Sequence, residues 1–302
     1  MTTKPALAPI VLFVYNRYEH TRLTIEALQR NVLAAESELF IFADGPKDEG
    51  DRAAIDAVRT YVREIGGFKR VVITEQEENL GLAASIISGV SRVVGEYGKI
   101  IVLEDDLVTS PYFLSFMNET LSLYEGEDGV ASVSGYMFPA DYAEEELLFL
   151  PIIGSWGWGT WREAWKLFEP DGRMLLEEIG HGGLRRAFDL DGTYPFYKML
   201  ERQVRGKNNS WAIRWYASLF LKQKHSIWPS RSLVTNIGFD GSGTHCRVSA
   251  HAQTDGTEGG PFPVRRRSVD TDLRQLEPVK AYFRSRRGPK AFFKKIAAYM
   301  FR

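Results

Sequence analysis

Residues 99–108 read KIIVLEDDLV, an apolar run (Ile100–Leu103) followed without a break by Glu104, Asp105 and Asp106. The run has no polar alternation, which predicts a strand buried on both faces, as in a parallel sheet. Three adjacent carboxylates at the end of such a strand repel one another unless a cation relieves them. In open α/β sheets, ligands bind beyond the carboxyl ends of the strands. A strand ending in clustered hard oxygen donors therefore points to a divalent metal and, through it, to a phosphate. The same cluster also suits a solvated acidic loop, and the motif alone does not separate the two.

On the N-terminal side of this strand the pattern alternates. Strands are expected at Ile10–Val14, Leu39–Phe42 and Val71–Thr74, and helices at Glu19–Val32, Asp51–Ile65 and Leu82–Val94. On its C-terminal side a helix is expected over Pro111–Tyr124, with proline near its start, and a strand over Val130–Val133. This βαβα alternation predicts an α/β fold with a mostly parallel central sheet flanked by helices. Residues 151–228 change character and are dense in Trp and Gly. Helices are expected near Thr160–Phe168, Pro195–Val204 and Trp211–Lys222, and a strand over Ile227–Asn236. Residues 251–263, polar and rich in Gly and Pro, read as a linker. The expected organisation is a domain over 1–262, with 9–150 binding the nucleotide and 151–262 the acceptor. A linker and a basic tail then occupy 263–302.

Composition sets loose bounds. The chain has 302 residues, 44% hydrophobic and 25% charged, with formal net charge −1. That length supports a large core, and the balanced charge gives no whole-chain signal for nucleic acid. A single cysteine, Cys246, excludes an internal disulfide framework. The apolar run near the N-terminus is too short for a membrane span and lacks a cleavage pattern. A cytoplasmic protein is expected, peripheral at the inner face of the cell membrane.

Three more polar sites fall just past apolar segments. After the first strand comes VYNRYEHT, where the Arg17 guanidinium suits a phosphate. After the second comes FIFADGPKDE, where Asp44 can accept hydrogen bonds from a base or a ribose, or simply form an Asp-Gly turn. After the third comes ENLGLAASI, where Asn79 and Gly81 open a helix whose N-terminus favours anions. With the acidic cluster, four sites share one predicted sheet edge.

Together, VLFVYNRYEHT, FIFADGPKDE, ENLGLAASI, VLEDDLVTSPYFLSFM, GSWGWGTWREAW and SLVTNIGFDGSGTHC resemble a GT-A fold, nucleotide-sugar-dependent glycosyltransferase. Within that group the chain is similar to the N-acetylglucosaminyltransferase I family and to bacterial transferases of surface polysaccharides. The resemblance implies Asp106 as a direct Mn2+ (or Mg2+) ligand, Asp105 at the donor's ribose or sugar, and Glu104 supporting the nucleotide. It implies Asp44 at the uracil ring and Arg17 near the phosphates or base. His245, in a Gly-rich loop, resembles the segment that closes over the diphosphate and is a second candidate ligand. The donor is then a nucleotide sugar, expected to be UDP-linked, and the acceptor a glycan or lipid-linked glycan. A sugar nucleotidyltransferase and an inactive sugar-nucleotide or polysaccharide binding subunit are the alternatives.

One departure bears on the base. The eukaryotic relatives carry it in a Trp-Asp-Asp-Trp segment, whereas here SWAIRWYASLF has no carboxylate. Asp240 and Glu163 are the nearest candidates, and both inverting and retaining chemistry stay open. Trp156 and Trp158, in a Gly-rich stretch, suit an acceptor wall because aromatic faces stack on sugars. Arg214 joins them as an acceptor-binding candidate. Trp161 and Trp165, four apart, suit the core side of a helix.

The C-terminal RSRRGPKAFFKKIAAYMFR places Phe292, Phe293, Ile296, Tyr299 and Met300 at helical spacing among basic residues. That pattern suits a helix lying on an anionic membrane surface. Deleting residues 288–302 is expected to release the protein from anionic vesicles in a flotation assay while sparing donor hydrolysis in solution. A truncation that instead lowers the melting temperature and activity would assign the helix to the protein body.

Overall fold

A computed structural model describes residues 6–142, 146–239, 259–269 and 272–286. Its first half follows the expected alternation. β1 (Ile10–Val14), β2 (Glu38–Ala43), β3 (Arg70–Glu75) and β4 (Lys99–Glu104) alternate with α1 (Tyr18–Gln29), α2 (Arg52–Arg63) and α3 (Leu82–Tyr97). Then come β5 (Leu107–Thr109), α4 (Phe113–Leu123), β6 (Val130–Ser134), β7 (Leu147–Leu150) and β8 (Trp158–Trp161). They are followed by α5 (Arg162–Trp165), α6 (Gly172–His181), α7 (Arg185–Phe188), α8 (Phe196–Val204) and α9 (Trp211–Leu221). β9 (His225–Pro229), β10 (Val234–Asn236) and α10 (Glu277–Ser285) complete the described order.

Eight strands form one sheet in the order β3-β2-β1-β4-β8-β6-β9-β7. β1 is parallel to β2 and to β4, with Phe13 opposite both Phe42 and Glu104. The chain builds outward from β1 to β2 and β3, then returns to β1's other side as β4. The gap beyond β1 and β4 is thus a topological switch point, where open α/β sheets bind ligands. β8 and β7 run antiparallel within an otherwise parallel sheet. The central strands β1 and β4 are buried at every position, which explains their unbroken apolar runs. β3, at the edge, is only partly buried.

The second half departs from the expected elements. WGTW at 158–161 is strand β8, paired with β4 and β6, and only Arg162–Trp165 of the expected 160–168 helix is helical. The alternating Gly and Trp are a packing requirement, because a Cβ on Gly159 would sit 2.9 Å from the Ile100 carbonyl. The expected strand over 227–236 divides. β9 ends at Pro229, which has no N–H to donate. β10 turns away to pair antiparallel with β5 in a separate two-stranded sheet, with Asn236 opposite Leu107. This brings the segment at 237–239 back over the acidic cluster.

Residues 261–286, expected as linker and tail, are packed on the body where they are described. The Phe262 ring meets Phe116 edge-on at 5.2 Å, and the Tyr124 hydroxyl bonds both the N–H and the carbonyl of Arg267. Phe283 of α10 packs on Phe138 and Tyr194. The basic aromatic segment after residue 286 lies outside the described residues.

Asn31, buried beyond the end of α1, ties the acidic edge to the helices behind it. Its Nδ2 donates to the Ala27 carbonyl and to Thr109 Oγ1 of β5, and its Oδ1 accepts from the Leu114 N–H in the first turn of α4. Asn31→Ala leaves that N–H and hydroxyl unpaired in the interior. Stability in urea unfolding is expected to fall by about 1–3 kcal/mol, the scale of a buried group losing its partner.

Candidate active site

β1 and β4 deliver their C-terminal ends side by side. Asp105 and Asp106 follow β4 and are 5% and 3% exposed, and Glu104, its last residue, is also buried. The backbone here is held from two sides. The Thr24 hydroxyl of α1 donates to the Asp105 carbonyl, and the Ile237 N–H donates to the Asp106 carbonyl. Gly238 lies against the Asp106 carboxylate so closely that a Cβ there would collide with it and sit 3.1 Å from Arg17 Nη1. Thr24 has no sequence signal that marks it, and the quoted Gly-rich stretch that contains Gly238 does not indicate its contact, because both contacts cross long separations in the chain.

Arg17 crosses from the end of β1 to this cluster. Its Nη2 donates to Asp105 Oδ1 and, at 2.9 Å, to Asp106 Oδ2, and its Nε lies 3.4 Å from Asp105 Oδ2. Burial disfavours the charged guanidinium, but Asp105 and Asp106 outweigh that cost and raise its pKa. A cation beside two buried carboxylates relieves their mutual repulsion.

Asp44 and the turn before α3 form a second unit at the same edge. Asp44 Oδ1 accepts from the N–H groups of Gly45 and Leu80, and Oδ2 from the Gly81 N–H and, at 3.3 Å, Asn79 Nδ2. Four donors match the four lone-pair sites of a carboxylate. Asp44 thereby shapes the entrance to α3. Gly45 makes the approach possible, since a Cβ there would collide with the Glu78 backbone. Asn79 completes the clasp by donating to the Gly45 carbonyl at 2.9 Å.

The neighbouring loop is fixed by a residue that the sequence did not mark. The Tyr15 hydroxyl donates to Asp51 Oδ2 at 2.6 Å and accepts from the Lys47 N–H, while Asn16 Nδ2 donates to Asp51 Oδ1. Burial, and then the bond to Asp51, push the Tyr15 pKa up to about 12. The phenol stays protonated at neutral pH and keeps donating.

The remaining candidates separate. The Trp156 ring lies edge-on to Tyr136 at 4.4 Å and to Phe239 at 5.8 Å. Phe239 directly follows Gly238, so Trp156 stands behind the segment that covers Asp106. Trp158 is 1% exposed and stacks on Trp211 at 5.1 Å, which makes it core rather than an acceptor wall. Trp161 and Trp165 are buried as expected, but Trp161 belongs to a strand. Arg214 is buried and spends its guanidinium on the Ser210 and Pro170 carbonyls, a structural use rather than an acceptor contact.

Glu163 is corrected by topology. Lys99 at the start of β4 pairs with Trp161, so α5 lies at the opposite end of β4 from Asp105 and Asp106. The five residue steps from Lys99 to Glu104 span roughly 16 Å at ~3.3 Å per residue, and the exposed Glu163 instead pairs with Lys166. It is too far away to act as a base at the cluster. Asp240 and His245 lie outside the described residues. Among the described residues no group of three or more His, Cys, Asp or Glu is arranged to hold a metal by itself. The oxygen set of Asp105 and Asp106 nevertheless suits a hard divalent ion completed by phosphate and water.

Residues 10–136, from the start of β1 to just beyond β6, match the family model of glycosyl transferase family 2. The match does not single out the N-acetylglucosaminyltransferase I family. No curated protein matches the chain. Among solved structures, it is similar to the mannosyltransferase PcManGT from Pyrobaculum calidifontis, in complex with GDP-Man and Mn2+. Identity is 14%, coverage 73% of this chain and 78% of that one, and the TM-score 0.38. TarS residues 1–349 of S. aureus give 9% identity, coverage of 75% and 59%, and a TM-score of 0.40. The chain thus spans less than two thirds of that TarS fragment. A UDP-glucose pyrophosphorylase complexed with UDP-glucose gives 12% identity, coverage of 76% and 93%, and a TM-score of 0.36. Likeness at these scores assigns neither donor nor metal. The family match spans β1, β4 and the switch point between them, and over residues 10–136 the chain is similar to glycosyl transferase family 2.

Proposed function

We propose that this chain transfers a sugar from a nucleotide-sugar donor, UDP-linked, to a glycan or lipid-linked glycan acceptor, using Mn2+ or Mg2+. The observation that carries this reading is the pair of buried carboxylates, Asp105 and Asp106, presented beyond β4 at the switch point and bridged by the guanidinium of Arg17, just past the end of β1. When bound, a divalent ion would neutralise the departing diphosphate. Asp106 is the principal ligand, with Asp105 beside it, and the backbone contacts from Thr24 and Ile237 keep both in place.

The nucleotide half of the site is arranged by Asp44. Its carboxylate fixes Leu80 and Gly81 at the N-terminus of α3, and the Tyr15–Asp51 bond fixes the adjoining loop. The helix N-terminus favours the anionic donor, and a rigid loop lowers the ordering cost of binding it. On the acceptor side, buried Trp156 and Phe239 back the segment that covers Asp106, and through it Trp156 is proposed to shape the acceptor approach. Asp240, next in the chain, is proposed as the base that takes the proton from the attacking hydroxyl, and His245 as an additional ligand. A cytoplasmic, membrane-surface location is proposed from the basic aromatic C-terminus. Among the described residues no helix is long and apolar enough to cross a membrane.

Two substitutions test this reading. Asp106→Asn is expected to abolish Mn2+-dependent binding of UDP, measured by calorimetry, while circular dichroism stays unchanged. Unaltered Mn2+ dependence would remove Asp106 from the metal site. Asp44→Ala is expected to lower the melting temperature even without nucleotide and to weaken UDP binding by about 1–3 kcal/mol, because three backbone N–H groups lose their acceptor. A variant with parental stability but weakened UDP binding would return Asp44 to direct contact with the base.

A further inference from the structure

Arg17 stands where a divalent metal would also have to stand. Its Nη2 contacts one oxygen of Asp105 and one of Asp106, so a single donor atom bridges the pair. An ion bridging the same two oxygens would lie about 2.0–2.6 Å from each. That position falls inside the volume of Nη2, so guanidinium and metal exclude each other sterically. They also repel, because both would sit as cations within one buried pocket.

The other end of the guanidinium is uncommitted. Nη1 is buried and has no hydrogen-bond partner among the described residues. A buried donor without an acceptor is costly, and Arg presents paired donors matched to phosphate oxygens. The Arg17 backbone is anchored, since its carbonyl accepts from the Thr21 N–H at 3.0 Å in the first turn of α1. Any movement of the charge is then a movement of the side chain alone, pivoting at the end of β1.

We propose that Arg17 is an internal counter-ion that closes the Asp105–Asp106 pair to divalent metal until a nucleoside diphosphate arrives, and then transfers its bonds to the diphosphate. The charge balance favours this exchange. Among the described residues the Arg17 guanidinium bridges Asp105 and Asp106, with Glu104 buried beside them. A divalent ion added alone would break both of those bonds and set a second cation against the guanidinium. A metal arriving with a diphosphate brings a new anion for Arg17, so the carboxylates keep a cation and the guanidinium keeps a partner. Metal and nucleotide thereby become mutually dependent, and linkage makes the dependence reciprocal. The proposal rests on the metal-dependent reading above and goes beyond it by giving Arg17 control over when metal binds.

The test is a titration of the full chain with Mn2+, followed by electron paramagnetic resonance, without nucleotide and with UDP or GDP, correcting for Mn2+ held by free nucleotide. The parent is expected to bind Mn2+ weakly alone and more tightly with a nucleoside diphosphate. Arg17→Met is expected to bind Mn2+ alone roughly tenfold tighter, within the usual range of coupling between sites, and to lose most of the gain that nucleotide confers. Arg17→Lys, which keeps a charge without the fork, falls between them. Equal or weaker Mn2+ binding by folded Arg17→Met, with the nucleotide gain intact, would overturn the proposal while leaving the metal site standing. Absence of Mn2+ binding by the parent under every condition would overturn the metal reading and the proposal with it. If neither variant folds, the parent still decides, because Mn2+ affinity unaffected by UDP and GDP contradicts the exchange.

Discussion

The site is built around one electrostatic constraint: Asp105 and Asp106 are buried next to each other and require a cation. Transfer of an unpaired carboxylate into a protein interior is prohibitive. The fold supplies Arg17 at the end of the adjacent parallel strand, and its guanidinium bridges the pair. The β1–β4 pairing makes that possible. With Phe13 opposite Glu104, the residues just past each strand emerge at the same height. A sheet in which β1 and β4 were not neighbours would leave the carboxylates and the arginine apart.

The rest of the molecule serves that edge. Asn31 fixes β5 and α4 behind the cluster, and β10 pairs with β5 so that Ile237 and Gly238 fold back over Asp106. On the other side, Asp44 gathers backbone N–H groups from the turn before α3. Both arrangements use hydrogen bonds between segments far apart in sequence. Such bonds hold a polar pocket rigid without filling it. The Trp-rich half is different in kind. Trp158, Trp165, Trp211 and Trp215 are buried and pack on one another, which makes this half a stacked aromatic core beside β4.

The aromatic half also shows how composition misleads. Gly and Trp in alternation look like a flexible loop with exposed rings. In β8 they are a buried strand, because glycine permits close approach to β4 while each Trp fills space beside it. Glu163 lies near Trp158 in sequence, yet the antiparallel direction of β8 carries it to the far end of the sheet. Asp44 was legible as a residue at the ligand edge. Its partners were not, because nothing local indicates that both its oxygens would be used by the chain itself.

The sequence by itself determined the strands β1, β2, β3, β4 and β6 of the mostly parallel sheet and the edge on which Arg17, Asp44, Asn79 and Asp106 lie. Those features follow from short-range physics: buried parallel strands need unbroken apolar runs, and polar residues collect where the strands end. Tertiary structure alone decided which of those residues meet. It set Arg17 between Asp105 and Asp106, turned Asp44 inward, folded Gly238 over the cluster, and removed Trp158, Arg214 and Glu163 from the site. The reason is that strand order, strand direction and the return of β10 onto β5 join segments far apart in the chain, such as Ile10 with Ile101 and Thr109 with Val234, and no local pattern encodes those pairings.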